Sequence, residues 1–268
     1  KPGDQWIIHA ADASLYVGYC RSERPRVAFI FPGQGSQRPA MAKQLIQRFP
    51  WARRLAKLAE GIAQKRGLRS LTAQLQDSFP DQFPKAQWDD TRWVQPAVTL
   101  VNVLWHERLI RAGVTPSIVA GHSLGEYAAL YAAGTLTFAR TLELTTARGQ
   151  AMAAQSGSAD ATLAYLACGA DAVAQVARHA TQAHWQFANY NAPDQTVNAG
   201  ERKTLQAIVE QAKRENIEGG FLPVSNAFHS AYMRQAAMAF ATEATRTRLR
   251  AGHVPFVRGT DGGRLAKG

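Results

Sequence analysis

The order of apolar and polar positions divides the chain into two rhythms. Arg26 to Phe31 is a short apolar run closed by Pro32-Gly33, which predicts a buried strand followed by a tight loop. From Ala97 to Ala112 the apolar residues Val98, Val101, Leu104, Trp105 and Leu109 recur at helical spacing, and Gly113 and Pro116 end the helix they predict. Ser117 to Ala120 predicts a second strand, and Glu126 to Ala133 a second helix. Strand, helix, strand, helix in this order argues for a parallel sheet covered by helices.

Between residues 156 and 224 the rhythm changes. Leu163–Cys168 predicts a strand and Asp171–Ala180 a helix. Gln186–Tyr190 and Thr196–Ala199 predict strands around the turn Asn191-Ala192-Pro193-Asp194. Leu205, Ile208, Val209 and Ala212 mark one face of a further helix, and Phe221–Val224 predicts the last strand. The order βαββαβ is the ferredoxin-like arrangement. It predicts an α/β protein in which a parallel-sheet core, residues 25–155 and 225–268, is interrupted by a ferredoxin-like subdomain over 156–224. Residues 1–24 read as an irregular lead-in or linker.

Composition narrows the class of protein. With 268 residues, 46% of them apolar, the chain supports one large domain with a small second unit. No uninterrupted apolar stretch reaches the length of a membrane helix, and the start of the chain does not resemble a signal peptide. Cys20 and Cys168 form no disulfide framework, which fits a reducing, cytoplasmic compartment. The formal charge of +11 suits an acidic partner or a phosphorylated cofactor. Basic residues read as scattered, with a modest cluster at Arg246, Arg248 and Arg250. Without interleaved aromatics to stack bases, they predict no nucleic-acid partner and no membrane partner.

The central chemical signal is Gly121-His122-Ser123-Leu124-Gly125, a G-x-S-x-G set between a strand and a helix. That context projects Ser123 from a sharp turn beside the free N–H groups of a helix start. A serine hydroxyl needs a base. His122 should leave the tight turn in another direction, so His229, after the last strand of the inserted unit, is the better candidate. Gly33-Gln34-Gly35-Ser36-Gln37 follows the first strand without the spacing of a phosphate or dinucleotide loop. Such a loop can lend a backbone N–H to an oxyanion hole. Arg148, on a helical stretch after Thr137, suits a substrate carboxylate if it faces the pocket. No Cys/His spacing fits a metal.

Five motifs in order carry a resemblance: Phe31-Pro32-Gly33-Gln34-Gly35-Ser36-Gln37, Gln95-Pro96-Ala97, Gly121 to Glu126, Arg148-Gly149-Gln150-Ala151-Met152, and Ala227-Phe228-His229-Ser230. From about Arg26 to about Gly262 the chain resembles malonyl-CoA:acyl-carrier-protein transacylases and the acyltransferase domains of polyketide and fatty-acid synthases. The resemblance implies an α/β-hydrolase-like core with a ferredoxin-like insert, Ser123 as nucleophile and His229 as its base. It implies an oxyanion hole from the backbone N–H groups of Gln34 and Leu124, and Arg148 as the clamp on a malonyl carboxylate. Gln95, Met152, Phe228 and Asn226 are implied in substrate binding. Coenzyme A thioester is then a substrate, no cofactor is permanently bound, and the partner is an acyl carrier protein with a phosphopantetheine arm, within a larger synthase or beside it.

Departures from the family pattern are Asn226 where malonyl-type members show a histidine, Ala231-Tyr232 for Pro-Leu, and Arg258-Gly259 for Ser-Asn. The resemblance also implies a C-terminus that normally runs some tens of residues past Gly268 and supplies a carbonyl to orient the histidine. Two other functions use the same residues differently: a serine acyl hydrolase or thioesterase, and a non-catalytic docking domain of a synthase.

Overall fold

The structure, a computed structural model, describes residues 6–9, 16–19, 26–68, 70–76, 90–155, 160–224 and 226–265. Within the stretch read as irregular, β1 (Trp6–His9) and β2 (Tyr16–Tyr19) pair antiparallel. Runs of four residues are too short to show a period, although WIIH and YVGY have the β-branched and aromatic content of strands. The rest of residues 1–24 lies outside the described residues.

The core sheet has the order β10-β9-β4-β3. Strands β3 (Ala28–Phe31) and β4 (Ile118–Gly121) run parallel in the register Phe31↔Gly121, and β4 runs parallel to β9 (Phe256–Val257). Strand β10 (Arg264–Leu265) closes the edge antiparallel. Because β3 and β4 end at the same level, the loops that leave them emerge side by side. Ligand sites in open α/β sheets form at these carboxyl ends of the strands.

Between β3 and β4 lie α1 (Lys43–Arg48), α2 (Pro50–Lys65), α3 (Ala73–Gln76) and α4 (Thr91–Arg111). Helix α4 starts earlier than its apolar period suggests, because the Asp90 carboxylate accepts from the Arg92 N–H at 2.9 Å and caps it. The predicted apolar face is also incomplete: Trp105 and Leu109 stand 51% and 36% exposed. A stripe of polar residues at helical spacing is buried instead: Gln95, Thr99, Asn102 and His106. Asn102 donates to the Pro32 carbonyl at 2.9 Å, and His106 sits edge-on against Phe29 and Tyr131. Thr99 instead donates to the Gln95 carbonyl of its own helix at 2.8 Å.

After β4 come α5 (Gly125–Ala132) and α6 (Phe138–Ala153), the latter capped by Thr137, whose hydroxyl accepts from the Arg140 N–H. The second sheet holds β5 (Ala161–Leu166), β6 (Trp185–Ala192), β7 (Gln195–Glu201) and β8 (Gly219–Phe221) in the antiparallel order β6-β7-β5-β8. Helices α7 (Ala170–Ala180) and α8 (Arg202–Arg214) cover one face with Val173, Val176, Leu205 and Ile208. This is the ferredoxin-like arrangement, and the protein is α/β with a parallel-sheet core and a separate antiparallel sheet.

Strand β8 lies upstream of the apolar run 221–224 that predicts it. Gly219 and Gly220 pair with Leu166 and Tyr165 so closely that a Cβ on Gly220 would meet the Tyr165 ring at 3.3 Å. A Cβ on Gly219 would come within 2.9 Å of the Tyr165 carbonyl oxygen, so the tighter constraint falls on that glycine. Just past β8 the Leu222 N–H still donates to the Leu163 carbonyl of β5 at 2.9 Å, and Leu222 and Val224 line a cavity. A short 3-10 turn, Ala231–Met233, leads into α9 (Arg234–Thr245), which packs on α6.

Candidate active site

The turn after β4 is built by its two glycines. A Cβ on Gly121 would collide with the Gly125 carbonyl carbon, and one on Gly125 with the Phe31 carbonyl. With both side chains absent, β4, α5 and the end of β3 meet at backbone distance, and the His122 N–H donates to the Phe31 carbonyl at 2.9 Å. Ser123 at the tip takes φ +51°, a left-handed angle rarely adopted by a residue with a Cβ. Its Oγ lies 2.7 Å from Nε2 of His229, which itself takes φ +58°.

His229 opens on the cleft and keeps access to water there, yet the protein packed around it removes much of its solvation. Burial, then the neighbouring Arg148 and then His122, push its pKa down to about 4. It is therefore neutral at pH 7, with a free lone pair for the serine proton. Gly35 N–H is already taken by Gln37 Oε1 at 2.8 Å. Among the described residues no acceptor is bonded to the N–H of Gln34 or of Leu124. The Gln34 side chain is drawn aside, donating to the Thr91 hydroxyl at 3.2 Å.

Arg148 on α6 is half-buried, and desolvation of its guanidinium pushes its pKa down against the opposing influence of Tyr127 and Glu126. One of its donors reaches Gln95 Oε1 at 2.8 Å, and the Gln95 amide donates in turn to Met152 Sδ at 3.1 Å. Gln95 is wholly buried and lies outside the cavity wall, behind Arg148. The cavity itself is about 130 Å³, with Ser123, His229, Arg148, Met152 and Phe228 on its walls. A second cavity of about 430 Å³ shares Arg148, Met152 and His229 and extends to Tyr127 and Phe240. Asn226 is buried outside both walls, its carbonyl accepting the Phe228 N–H.

Sequence reasoning missed Asn189 and Asn191, which face the small cavity from β6. His122 donates from Nε2 to Asn191 Oδ1 at 3.2 Å, so the elbow histidine bridges to the antiparallel sheet. The available signal was their spacing: residues two apart on a strand share a face. Leu222 and Val224, which the sequence predicts as the end of a strand, follow β8 and form cavity wall. Among the described residues no group of His, Cys, Asp or Glu could hold a metal ion, and no helix is long and apolar enough to cross a membrane.

A parallel sheet with a serine at its strand–helix elbow, a histidine bonded to it and an inserted ferredoxin-like sheet defines an α/β-hydrolase-like acyl-handling domain. The chain belongs to the acyl transferase domain family, whose model matches residues 28–264. It is 34% identical over 216 residues to the malonyl CoA-acyl carrier protein transacylase of Bacillus subtilis, covering 79% of this chain and 65% of that protein. It is 32% identical over 236 residues to a highly reducing polyketide synthase of Eupenicillium brefeldianum, covering 85% of this chain and 10% of the synthase. Among solved structures, a malonyl-transacylase in complex with the holo acyl-carrier protein of its type II polyketide synthase superposes with a TM-score of 0.80. That match is 26% identical and covers 91% of this chain and 77% of the other. The chain thus spans under two thirds of the first two relatives.

Proposed function

We propose that this protein moves a malonyl unit from coenzyme A to the phosphopantetheine thiol of an acyl carrier protein through an ester on Ser123. The observation that carries the reading is one cavity holding both the Ser123–His229 pair and the half-buried Arg148 guanidinium. Relatives named for malonyl transfer, and one solved with its carrier, support the same substrate and partner.

His229 takes the Ser123 proton as Oγ attacks the thioester carbonyl, and the oxyanion is held by the N–H groups of Gln34 and Leu124. The tetrahedral intermediate collapses, the C–S bond breaks, and His229 returns the proton to the departing thiolate of coenzyme A. The carrier thiol then gives its proton to His229 and attacks the acyl-serine carbonyl; as the C–O bond to Ser123 breaks, His229 returns the proton to Ser123 Oγ, which completes the transfer. Arg148 pairs with the free carboxylate of the malonyl group, with Gln95 fixing its orientation and Met152 and Phe228 shaping the pocket. Asn226 supports Phe228 from behind. An acetyl group would leave the guanidinium unpaired in a desolvated site, at a cost of about 1–3 kcal/mol or more. A hydrolase trimming plain acyl chains would gain nothing from that charge. We also assign residues 156–224 to the inserted subdomain, 25–155 with 225–268 to the core, and 1–24 to the lead-in.

Intact mass spectrometry tests this. Incubation with malonyl-CoA should give a malonyl adduct that is lost in Ser123→Ala and transferred to added holo carrier protein. Release of coenzyme A without an adduct would mean hydrolysis and overturn the transfer reading.

A further inference from the structure

The loop that carries Gln34 is held at two successive peptide planes. Gly33-Gln34-Gly35-Ser36 is a four-residue turn closed by the Ser36 N–H, which reaches back to the Gly33 carbonyl at 3.4 Å. Its third residue, Gly35, takes φ +103°, a positive angle of the kind a type II turn asks of that position. The closer bond to the same carbonyl comes from a side chain: Ser36 Oγ donates to it at 2.7 Å. One residue earlier, the Asn102 amide on α4 donates to the Pro32 carbonyl at 2.9 Å, and among the described residues no other donor is bonded to that oxygen. Asn102 is buried and Ser36 exposed, and neither lines the two cavities around Ser123 and Arg148.

These two bonds fix a direction. A peptide unit is planar and trans, so its carbonyl and the N–H that follows point opposite ways. The Gly33 carbonyl and the Gln34 N–H belong to one such unit. With the carbonyl turned to Ser36, the Gln34 N–H is turned away from it, and it has no acceptor among the described residues. The unit before it is fixed by Asn102 at the carbonyl and by the proline ring at φ. Both units abut the elbow. A Cβ on Gly33 would lie 2.6 Å from the His122 carbonyl oxygen, and one on Gly125 would lie 2.9 Å from the Pro32 carbonyl oxygen. A tilt of either plane therefore moves the Gln34 N–H relative to Ser123 and to the Leu124 N–H.

We propose that Ser36 and Asn102 are positioning residues of the oxyanion hole: by holding the Gly33 and Pro32 carbonyls, they aim the Gln34 N–H at the oxygen that gains charge as Ser123 is acylated. The assignment rests on the acyl-serine reading above and adds what sets the direction of one donor. Ser36 and Asn102 act through the backbone and carry no charge, so they touch neither the thioester nor the carboxylate clamp. An oxyanion donor works fully only once the carbonyl oxygen has become negative. Misdirecting it therefore slows acylation and leaves thioester binding nearly unchanged. A displacement of about 1 Å at such a group costs up to about a hundredfold in rate.

The test compares the wild type with Ser36→Ala, Ser36→Thr and Asn102→Leu by quenched-flow mass spectrometry of Ser123 acylation, with malonyl-CoA and with acetyl-CoA. In Ser36→Ala and Asn102→Leu the maximal acylation rate should fall about tenfold or more, with the half-saturating malonyl-CoA concentration within about twofold of wild type. The malonyl-to-acetyl preference and the acid limb of the rate should stay where they are. Ser36→Thr keeps the hydroxyl and should recover most of the rate. Rates are referred to the fraction of Ser123 that becomes acylated, and urea midpoints are taken alongside, so that partial unfolding does not pass as misdirection. Should Asn102→Leu fail to fold, Asn102→Ala takes its place. A wild-type maximal rate in Ser36→Ala or in the Asn102 variant, no recovery in Ser36→Thr, or a narrowed malonyl-to-acetyl preference overturns the assignment. p-Nitrophenyl acetate acylates a Ser–His pair without coenzyme A or a carboxylate, and it separates this assignment from the transfer reading. A wild type that reacts with the ester and not with malonyl-CoA sinks the transfer reading, while the order of the variants toward the ester still decides the roles of Ser36 and Asn102.

Discussion

Ser123 and His229 are 106 positions apart in the chain and 2.7 Å apart in space, and both hold left-handed backbone angles. Each angle costs about 1–3 kcal/mol for a residue with a Cβ. The surrounding packing holds both, and the strained pair is where the hydroxyl meets its base.

The pH dependence of acylation follows from the environment of His229. Burial, Arg148 and His122 all disfavour its charged form, so the neutral base persists well below the ordinary histidine range. The rate of Ser123 acylation should stay near its plateau as pH falls through 6.5 and drop only around pH 4, measured by quenched-flow mass spectrometry. A midpoint near 6.5 would contradict this environment. The same shift acts on stability: between about pH 4 and 6.5 the unfolded chain binds the proton and the folded one does not, so this group makes stability decrease as pH falls through that window.

Removing the Arg148 charge should change two readouts together. Arg148→Ala should lower kcat/KM for malonyl-CoA by about tenfold or more, and narrow the malonyl-to-acetyl preference, since about 1–3 kcal/mol of discrimination goes with the guanidinium. It should also move the acid limb of the rate upward in pH, because one of the positive charges that lowers the His229 pKa is gone. An unmoved limb would show that Arg148 does not set the His229 pKa, and an unchanged malonyl-to-acetyl preference would contradict the clamp.

Gln95→Leu keeps the approximate size of a wholly buried side chain and removes the acceptor of Arg148 and the donor to Met152. A hydrogen bond to a charged group is worth about 1.5–3 kcal/mol. The expected outcome is a drop in malonyl-CoA kcat/KM of about tenfold or more, with the acetyl-CoA rate changed much less. Equal losses for both substrates would show that Gln95 supports the fold and not the clamp.

Gly125→Ala should be among the most destabilising single changes in the core. Its Cβ would meet the Phe31 carbonyl, part of the backbone and unable to rotate away. Overpacking of this kind costs about 1–3 kcal/mol and sometimes more, read as a fall in the denaturant midpoint. Gly35→Ala is the contrast: nothing lies within 4 Å of that Cβ position, so its cost is confined to the backbone angle, φ +103°.

How much was legible in advance depended on whether the signal was local. The strand ending at Phe31, the strand ending in the elbow and the βαββαβ order were readable, because a period of two or of 3.6 residues records which face is buried. The period fails where burial is not one-sided. Helix α4 is enclosed over most of its length, so its core face carries Gln95, Thr99, Asn102 and His106 while Trp105 is exposed. Strand β8 fails differently, since two glycines chosen for close approach to Tyr165 and Leu166 carry no apolar signal. The groove that Arg54, Lys57 and Lys65 share along α2 is visible in the sequence only as composition, because a running charge excess does not show which side chains share a groove.

By itself the sequence determined the two sheet types, the elbow and the identity of the chemical groups, since glycine spacing, periodicity and residue type are properties of neighbours along the chain. Only the tertiary structure decided that His229 closes on Ser123, that Arg148 sits beside them with Gln95 as its acceptor, and that Asn189 and Asn191 look into the cleft. Those relations join residues tens of positions apart, and their geometry is set by how the two sheets and their helices pack, which no local pattern encodes.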